Sequence, residues 1–551
     1  MNDNLKLAEL LFPNITKTPA DMEEMFPPRN LKEGARVTRL APSPTGFLHF
    51  GNLFAGMVAY KTAKVSDGIF FVRVEDTDQK RKVEGAIEVM LKGLEAFDVV
   101  ADEGVVGEDI EKGDYGPYYQ SKRKDIYHVY AKQLVSEGLA YPCFCSAEVL
   151  DEIRAQQENE PQKGYWGPYA KCRNLTLSDI EKNLAEGKQW TLRLRSPGDA
   201  EKKCFFDDMI KGKIEMPENV QDVVLLKSDG IPTYHFAHAV DDHLMRTTHV
   251  VRGDEWMSSC PIHLQLFKCL GFKVPKYAHV APIMKEENGG KRKLSKRKDP
   301  EAAVTFYVEQ GYPKESVNEY IMTLMNSNFE DWRKINKDAD IDTFPFNLKK
   351  MSVSGALFDM VKLNDVSKNV ISVMNAKKVY DYTVAWAKEY DKELYELLTR
   401  DEEFSVNILN VDREGPKPRK DIACFSEVKD YISYFFDEIY EKNYELPENL
   451  TKEAAAEILE AYLKEYTAAD DKQGWFDRIK ALCEPLGYTP NVKEYKKNPE
   501  AFKGHVGDVS TVIRIAVTGR RNTPDLWAIM SLLGEDKVKA RLSDALEFYR
   551  A

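Results

Sequence analysis

The chain has 551 residues, more than one compact core holds, and at about 100–200 residues per domain it predicts three to five domains. With 43% hydrophobic and 30% charged residues it reads as an ordinary folded protein, and it contains no run of ~18 apolar residues able to span a bilayer. A formal net charge of −12 excludes a protein that coats nucleic acid without selectivity, although a local basic surface could still bind one.

Residues 1–33 read as an N-terminal extension. It carries Asp3 early, and its apolar patch Leu10-Leu11-Phe12 stops at Pro13, so it is not read as a secretory signal. The eight cysteines form no dense framework. Reduced thiols and a cytoplasmic location are therefore expected, and the sequon at Asn14 is expected to be idle.

From residue 36 strand, turn and helix alternate. A strand is predicted at 37–41, a turn at 42–46, a helix at 52–66 and a buried strand at 69–74. A polar, mixed stretch at 123–221 interrupts this pattern. Strand-like runs resume at 222–226 and 249–252. An α/β sheet domain split by an insertion fits this order. After about residue 370 helical patterns dominate. Thr451 can cap a helix whose apolar face holds Ile458, Leu459, Tyr462 and Leu463. Gly519 is expected to end one helix, Asn522-Thr523-Pro524 to open the next and Gly534 to end it. Trp475 and Trp527 are assigned to the core.

The segment from Ala41 through Pro42, Ser43, Pro44, Thr45, Gly46 and His49 to Gly51 and Asn52 lies between a predicted strand and a predicted helix. In a doubly wound sheet that crevice receives nucleotides, because helix N–H groups face the phosphates. His49 can donate a hydrogen bond to phosphate, and Gly51 permits close approach. A basic run at 291–298 follows Glu286-Glu287-Asn288-Gly289-Gly290, read as a flexible, exposed lead-in. Such a run is usually a solvated face, but Leu294 and Ser295 inside it suggest lysines that fold over a triphosphate.

His49-Phe50-Gly51-Asn52 together with Lys293-Leu294-Ser295-Lys296-Arg297 resembles the paired HIGH and KMSKS signatures of class I aminoacyl-tRNA synthetases. The flanking Ala-Pro-Ser-Pro-Thr-Gly resembles the glutamyl branch. The likeness extends through Arg73-Val74-Glu75-Asp76, 116–121, 222–235 and Val251-Arg252-Gly253-Asp254-Glu255-Trp256, and covers the chain from Arg36 onward. Asn52 replaces the second histidine of the first signature, and Arg297 the final serine of the second.

The resemblance implies an α/β multidomain enzyme. A class I Rossmann-type catalytic domain would lie in two halves at 34–122 and 222–290, around an acceptor-stem-binding insertion at 123–221. The signature loop and a stem-contact region would occupy 291–370, and an α-helical anticodon-binding domain 371–551. The implied reaction activates L-glutamate with ATP and Mg²⁺ to glutamyl-adenylate and transfers it to the 3′ adenosine of tRNA-Glu. Charging tRNA-Gln as well is a close alternative, and a non-catalytic tRNA-binding paralogue a distant one. A monomer is expected. His49, Lys293 and Lys296 are implied to act on the phosphates. Pro44, Thr45, Gly46, Gly51, Asn52, Glu255, Trp256, Leu294 and Ser295 would complete the ATP site. Glutamate would be held by Arg39, Arg252 and Tyr234, with Glu75 on its ammonium and Ala41 and Ser43 lining the pocket; a guanidinium suits a carboxylate because it donates two parallel hydrogen bonds.

Cys143, Cys145 and Cys172 invite a zinc site, but Asn174 stands where some relatives carry histidine, and Tyr169 is the substitute at hand. Ordinary thiols are the favoured reading. His235, His238, Asp241, Asp242 and His243 could be taken for a metal centre, and are assigned instead to the substrate pocket.

Overall fold

The computed structural model describes residues 3–44, 46, 48–78, 83–415 and 417–551, and falls into two compact units. The first comprises Met1–Phe306 and Asn318–Asp359, the second Tyr307–Val317 and Met360–Ala551.

The first unit opens with helices α1 (Asp3–Leu11) and α2 (Pro19–Met25), the latter started by a reciprocal cap between Thr18 and Asp21. Strand β1 (Val37–Leu40), helix α3 (Phe50–Lys64) and strand β2 (Ile69–Val72) follow. Next come α4 (Ala86–Glu95), β3 (Glu103–Gly107), β4 (Ile110–Lys112) and α5 (Lys124–Ser136). Then follow β5 (Ala140–Cys143), α6 (Ala147–Gln156), α7 (Leu177–Ala185), β6 (Thr191–Leu194), β7 (Lys203–Asp208), β8 (Gly212–Pro217) and β9 (Val224–Leu226). Helix α8 (Tyr234–Leu244), β10 (His249–Gly253), α9 (Cys260–Cys269), β11 (Lys276–Val280), β12 (Met284–Glu287) and β13 (Gly290–Lys293) complete the part that bears on function.

Two four-stranded sheets run in the orders β1-β2-β3-β4 and β10-β11-β7-β8, parallel except at the outermost pair of each. They meet along β1 and β10. Val37 N–H donates to Thr248 Oγ1 at 2.8 Å, Thr248 N–H returns to the Val37 carbonyl at 3.0 Å, and Arg39 Nη1 reaches the Val251 carbonyl at 3.4 Å. The two strands therefore run the same way. Both faces are covered by helices, and β1, β2 and β10 are buried nearly throughout. β1 now has β2 on one side and β10 on the other, so the chain leaves it in opposite directions. That is the switch point of a doubly wound sheet, where loops at the carboxyl ends part to leave a binding crevice.

Three differences from the expected pattern have local causes. The helix predicted from residue 52 starts at Phe50, because His49 caps it with its own ring. The run near 222 contributes Val224–Leu226 to a separate three-stranded sheet β5-β6-β9, while the β7–β8 hairpin from inside the polar stretch continues the parallel sheet. Short apolar runs reveal burial but not pairing partner. The lead-in at 286–290 is a tight hairpin in which Glu287 pairs with Gly290, with Asn288 and Gly289 both left-handed (φ 52° and 77°), as a two-residue turn of this type requires.

The second unit is helical. Thr451 accepts a hydrogen bond from Ala454 N–H and starts helix Lys452–Glu465, whose Ile458, Leu459 and Tyr462 are buried. Gly519, at φ 69°, ends Val506–Thr518, and Gly534 ends Leu526–Leu533. That last helix is opened by Asp525, whose carboxylate accepts from Ala528 N–H, and not by Asn522 or Thr523; the Thr523 hydroxyl is buried against Arg514. Trp475 is in the core with its indole N–H on the Tyr462 hydroxyl, and Trp527 is half-buried at its margin.

The approach of β1 and β2 depends on Gly68, where a Cβ would sit 1.9 Å from the Arg36 carbonyl oxygen. Gly56, in α3, would place a Cβ 3.5 Å from the Leu40 and Leu94 methyls, an ordinary contact. We expect Gly68→Ala to lower stability by about 1–3 kcal/mol. Gly56→Ala should be neutral or gain up to about 1 kcal/mol from helix propensity. Chemical denaturation of both variants checks the pair, and equal effects would contradict the packing described.

Candidate active site

His49 begins at the N-terminus of α3. Its Nδ1 accepts the Gly51 N–H at 2.9 Å, which satisfies one of the helix's unpaired donors and leaves the ring proton on Nε2. The ring also lies beside the backbone of Leu294. A second tie joins the same segments: His49 and Ala303 form an antiparallel bridge, and Val304 N–H donates to the Leu48 carbonyl at 3.2 Å. Residues some 245 positions apart in the chain are thus brought together. Burial, with the charges of Lys296 and Lys293 nearby, lowers the His49 pKa and keeps the ring neutral.

The basic run is anchored. Leu294 is buried and donates its N–H to the Ile283 carbonyl at 2.9 Å. Asp299 accepts two hydrogen bonds from Arg292, at 2.6 and 2.7 Å, and one from Ser295 N–H at 3.0 Å. The turn between them leaves the Lys293 and Lys296 side chains at the surface, and partial burial lowers the Lys296 pKa.

Beneath β1 and β10 lies a buried charged cluster. Arg39 donates to Asp242 through Nε and Nη2, at 3.1 and 3.2 Å. Arg73, wholly buried, donates to Asp242 at 2.8 Å and to Glu75 at 3.1 Å. Burial opposes the charge of Asp242, but Arg39 and Arg73 overcome it and hold its carboxyl well below the usual range. For Glu75 burial prevails over the same two arginines, and its pKa is raised. Arg252 extends from β10 toward Tyr234, with Nη1 3.4 Å from the hydroxyl. The Tyr234 ring packs on Trp256, centroids 4.1 Å apart.

This arrangement accompanies a match to known sequences. Residues 36–365 fit the family described as tRNA synthetases class I (E and Q), catalytic domain, and residues 416–546 an anticodon binding domain. The chain belongs to the class I tRNA synthetases of the E and Q type. It is 53% identical over 541 residues to a glutamate–tRNA ligase of Clostridium perfringens, covering 97% of this chain and 99% of that one. A glutamate–tRNA ligase of Acetivibrio thermocellus is 52% identical over 546 residues, covering 99% and 100%. Among solved structures, a glutamate tRNA ligase of Elizabethkingia meningosepticum in complex with its amino acid superposes with a TM-score of 0.74 at 27% identity, covering 93% of this chain and 99% of that one.

The synthetase brings together most of the residues singled out from its sequence. Pro44, Gly46, Gly51 and Asn52 surround His49 in the turn and first helical residues after β1, and Ala41 and Ser43 directly follow that strand. Glu255 and Trp256 follow β10 in a 3₁₀ turn. Thr45 lies outside the described residues. Arg73 was not assigned a role from sequence, although an arginine directly after a buried strand was an available signal, and Asp242 was assigned only to the pocket as part of the 235–243 run. Side chains of the 235–243 run are engaged by protein partners. Asp241 accepts from Gln120, Arg123 and Tyr127, and His243 pairs with Glu23 and stacks on Phe272.

The three cysteines of the synthetase converge, with their sulfurs within 4.8 Å of one another. Cys145 and Cys172 are 3.6 Å apart, and the Tyr165 hydroxyl lies 3.4 Å from Cys143 Sγ and 3.3 Å from Cys145 Sγ. Tyr169 points instead to Glu160. Tyr165, which the sequence reading did not consider, is buried and lies nearer the thiols than Tyr169.

Buried histidines make the synthetase acid-sensitive. Burial lowers His238 to about 3, and burial with Arg252 nearby lowers His235 to about 4. The unfolded chain takes up these protons near the ordinary value of about 6.5. Their stabilisation is therefore complete above that pH and is lost as pH falls toward the folded values. At pH 5 each should cost about 2 kcal/mol relative to pH 7.5. The thermal midpoint should fall across that interval; a flat profile would contradict their burial in neutral form.

Proposed function

We propose that this synthetase is a glutamate–tRNA ligase, which activates L-glutamate with ATP and transfers the glutamyl group to the 3′-terminal adenosine of tRNA-Glu. The observation that carries the reading is the meeting of His49 with the Leu294 backbone, Lys293 and Lys296 beside the carboxyl ends of β1 and β10. Its full-length likeness to glutamate–tRNA ligases supports the choice of amino acid.

The first step requires the glutamate α-carboxylate to attack the α-phosphorus of ATP, forming a mixed anhydride as pyrophosphate leaves. No side chain need form a bond; positioning and charge stabilisation supply the rate. His49 and the N-terminal amides of α3, with Pro44, Thr45, Gly46, Gly51 and Asn52, hold the phosphates, and Lys296 with Lys293 balances the charge that develops on pyrophosphate. Glu255, Trp256, Leu294 and Ser295 border the nucleotide. Mg²⁺ accompanies ATP, held chiefly by phosphate oxygens and water. Arg252, Tyr234 and Arg39 recognise glutamate, Glu75 takes its ammonium, and Ala41 and Ser43 line the pocket. A ribose hydroxyl of the tRNA then attacks the anhydride carbonyl and releases AMP. The enzyme acts as a monomer in the cytoplasm.

A second proposal concerns Cys143, Cys145, Cys172 and Tyr165, which we read as a structural zinc site. Zinc–sulfur bonds of about 2.3 Å in a tetrahedron set sulfurs about 3.8 Å apart, close to the Cys145–Cys172 separation of 3.6 Å, and the Tyr165 hydroxyl is the oxygen at hand beside them, 3.4 and 3.3 Å from the Cys143 and Cys145 sulfurs. Purified protein should contain about one zinc per chain, lost in Cys145→Ser; metal-free protein with an unchanged melting point would reject the site.

Aminoacylation with purified tRNAs and labelled amino acids tests the main reading. Glutamate should be charged to tRNA-Glu, and preference for glutamine would overturn the assignment. Charging of tRNA-Gln as well would mark a non-discriminating enzyme. Lys296→Ala should lower kcat at least about 100-fold with an unchanged melting point, the scale of one lost transition-state contact. Turnover at the parental rate would remove that loop from the chemistry.

A further inference from the structure

The two arginines at the neighbouring strand ends differ in one respect. Arg39 is neutralised by Asp242. Arg252 is almost fully buried, yet among the described residues no carboxylate lies within ion-pair distance of it. Its guanidinium is held by neutral groups. Nε donates to His279 Nε2 at 3.0 Å, and Nη2 to His263 Nδ1 at 3.2 Å, with the Cys260 thiol 3.4 Å away. The Tyr277 ring lies 4.8 Å beneath it.

The hydrogen bonds fix both tautomers. His279 Nδ1 lies 2.7 Å from Asp208 Oδ2 and donates to it, so Nε2 is left as an acceptor facing Arg252. Asp208 also accepts the backbone N–H groups of Ile210, Lys211 and His279, at 2.9, 2.9 and 3.0 Å. Its charge is satisfied before it reaches the guanidinium. His263 accepts on Nδ1 and so carries its proton on Nε2, which donates to His235 Nδ1 at 3.0 Å.

We infer that His263 and His279 are positioning residues that hold Arg252 through uncharged acceptors, so that its positive charge is left for the substrate's carboxylate. The inference rests on the proposed role of Arg252 in glutamate recognition. A carboxylate in either place would hold the side chain equally well but neutralise it, as Asp242 neutralises Arg39. A protonated imidazole could not accept, and would repel. A neutral histidine, locked in one tautomer from behind, supplies geometry without charge.

The two histidines use opposite ring nitrogens toward Arg252, which provides the test. An asparagine amide reaches about as far as Nδ1, a glutamine amide about as far as Nε2. His279→Gln and His263→Asn therefore keep an acceptor for Arg252, whereas His279→Asn and His263→Gln lose it. With tRNA-Glu and the full-length enzyme, the second pair should raise KM for glutamate about tenfold and the first pair less than about threefold, with kcat and KM for ATP changed less than about twofold. A residue needed only for packing would show no such crossed preference. If all four variants melt normally and behave alike while Arg252→Ala raises KM for glutamate, the clamp is refuted and the role of Arg252 stands. If Arg252→Ala leaves that KM unchanged, the proposed glutamate site fails and the clamp with it. If neither acceptor-losing variant folds, the histidines serve the fold and the inference is rejected.

Discussion

Asp242 sets the charge balance on which this active site is built. Placing Arg39 and Arg73 under two parallel strands removes both from water, a cost that Coulomb attraction offsets only when geometry and hydrogen bonding are good. Asp242 meets that condition by accepting from both guanidiniums and from the Thr247 hydroxyl, with His238 Nδ1 2.6 Å away. Arg73 in turn fixes Glu75. One acid on α8 thereby orients side chains from β1 and from the residues after β2. The arginine outside its reach, Arg252, is the one that keeps its charge.

A second constraint acts through the backbone. His49 caps α3 with Nδ1, and its ring lies beside the Leu294 backbone while Ala303 bridges to its main chain. The same imidazole that is proposed to meet phosphate thus also registers the 291–298 run against the helix.

Much of this was legible in the sequence, and the reasons are physical. Strands β2 and β10 are marked by the apolar runs Ile69–Val72 and Val250-Val251, and β1 by its place directly ahead of the proline-rich turn. The two signatures could be paired because each needs unusual residues at fixed spacing. Thr451, Gly519 and Gly534 announce helix ends through side-chain or backbone requirements that few residues meet. What stayed hidden depends on partners distant in sequence. Nothing local shows that Arg73 is fully buried, that Tyr165 and not Tyr169 turns toward the thiols, or that Val224–Leu226 pairs with β6. Asp525 displaced the expected cap because Thr523 was already committed to Arg514. His263 and His279 carried no signal at all, since an isolated histidine on a helix or strand is most often a satisfied core residue.

The basic run illustrates how far a charge pattern can mislead when counted as a unit. Six of the eight residues at 291–298 are cationic, which suggests a uniform polycation. The fold divides them. Arg292 is consumed by Asp299 and Glu287, and Lys298 lies 3.7 Å from Glu287. Those pairs hold the turn, and their acids cancel part of the field. Lys293 and Lys296 lie close enough to His49 for their charges to lower its pKa. The acidic balance of the whole chain strengthens this division, because it discourages polyanions elsewhere on the surface and leaves positive potential where the backbone has placed it. The charge this run offers is set by how the fold arranges its cations, more than by how many there are.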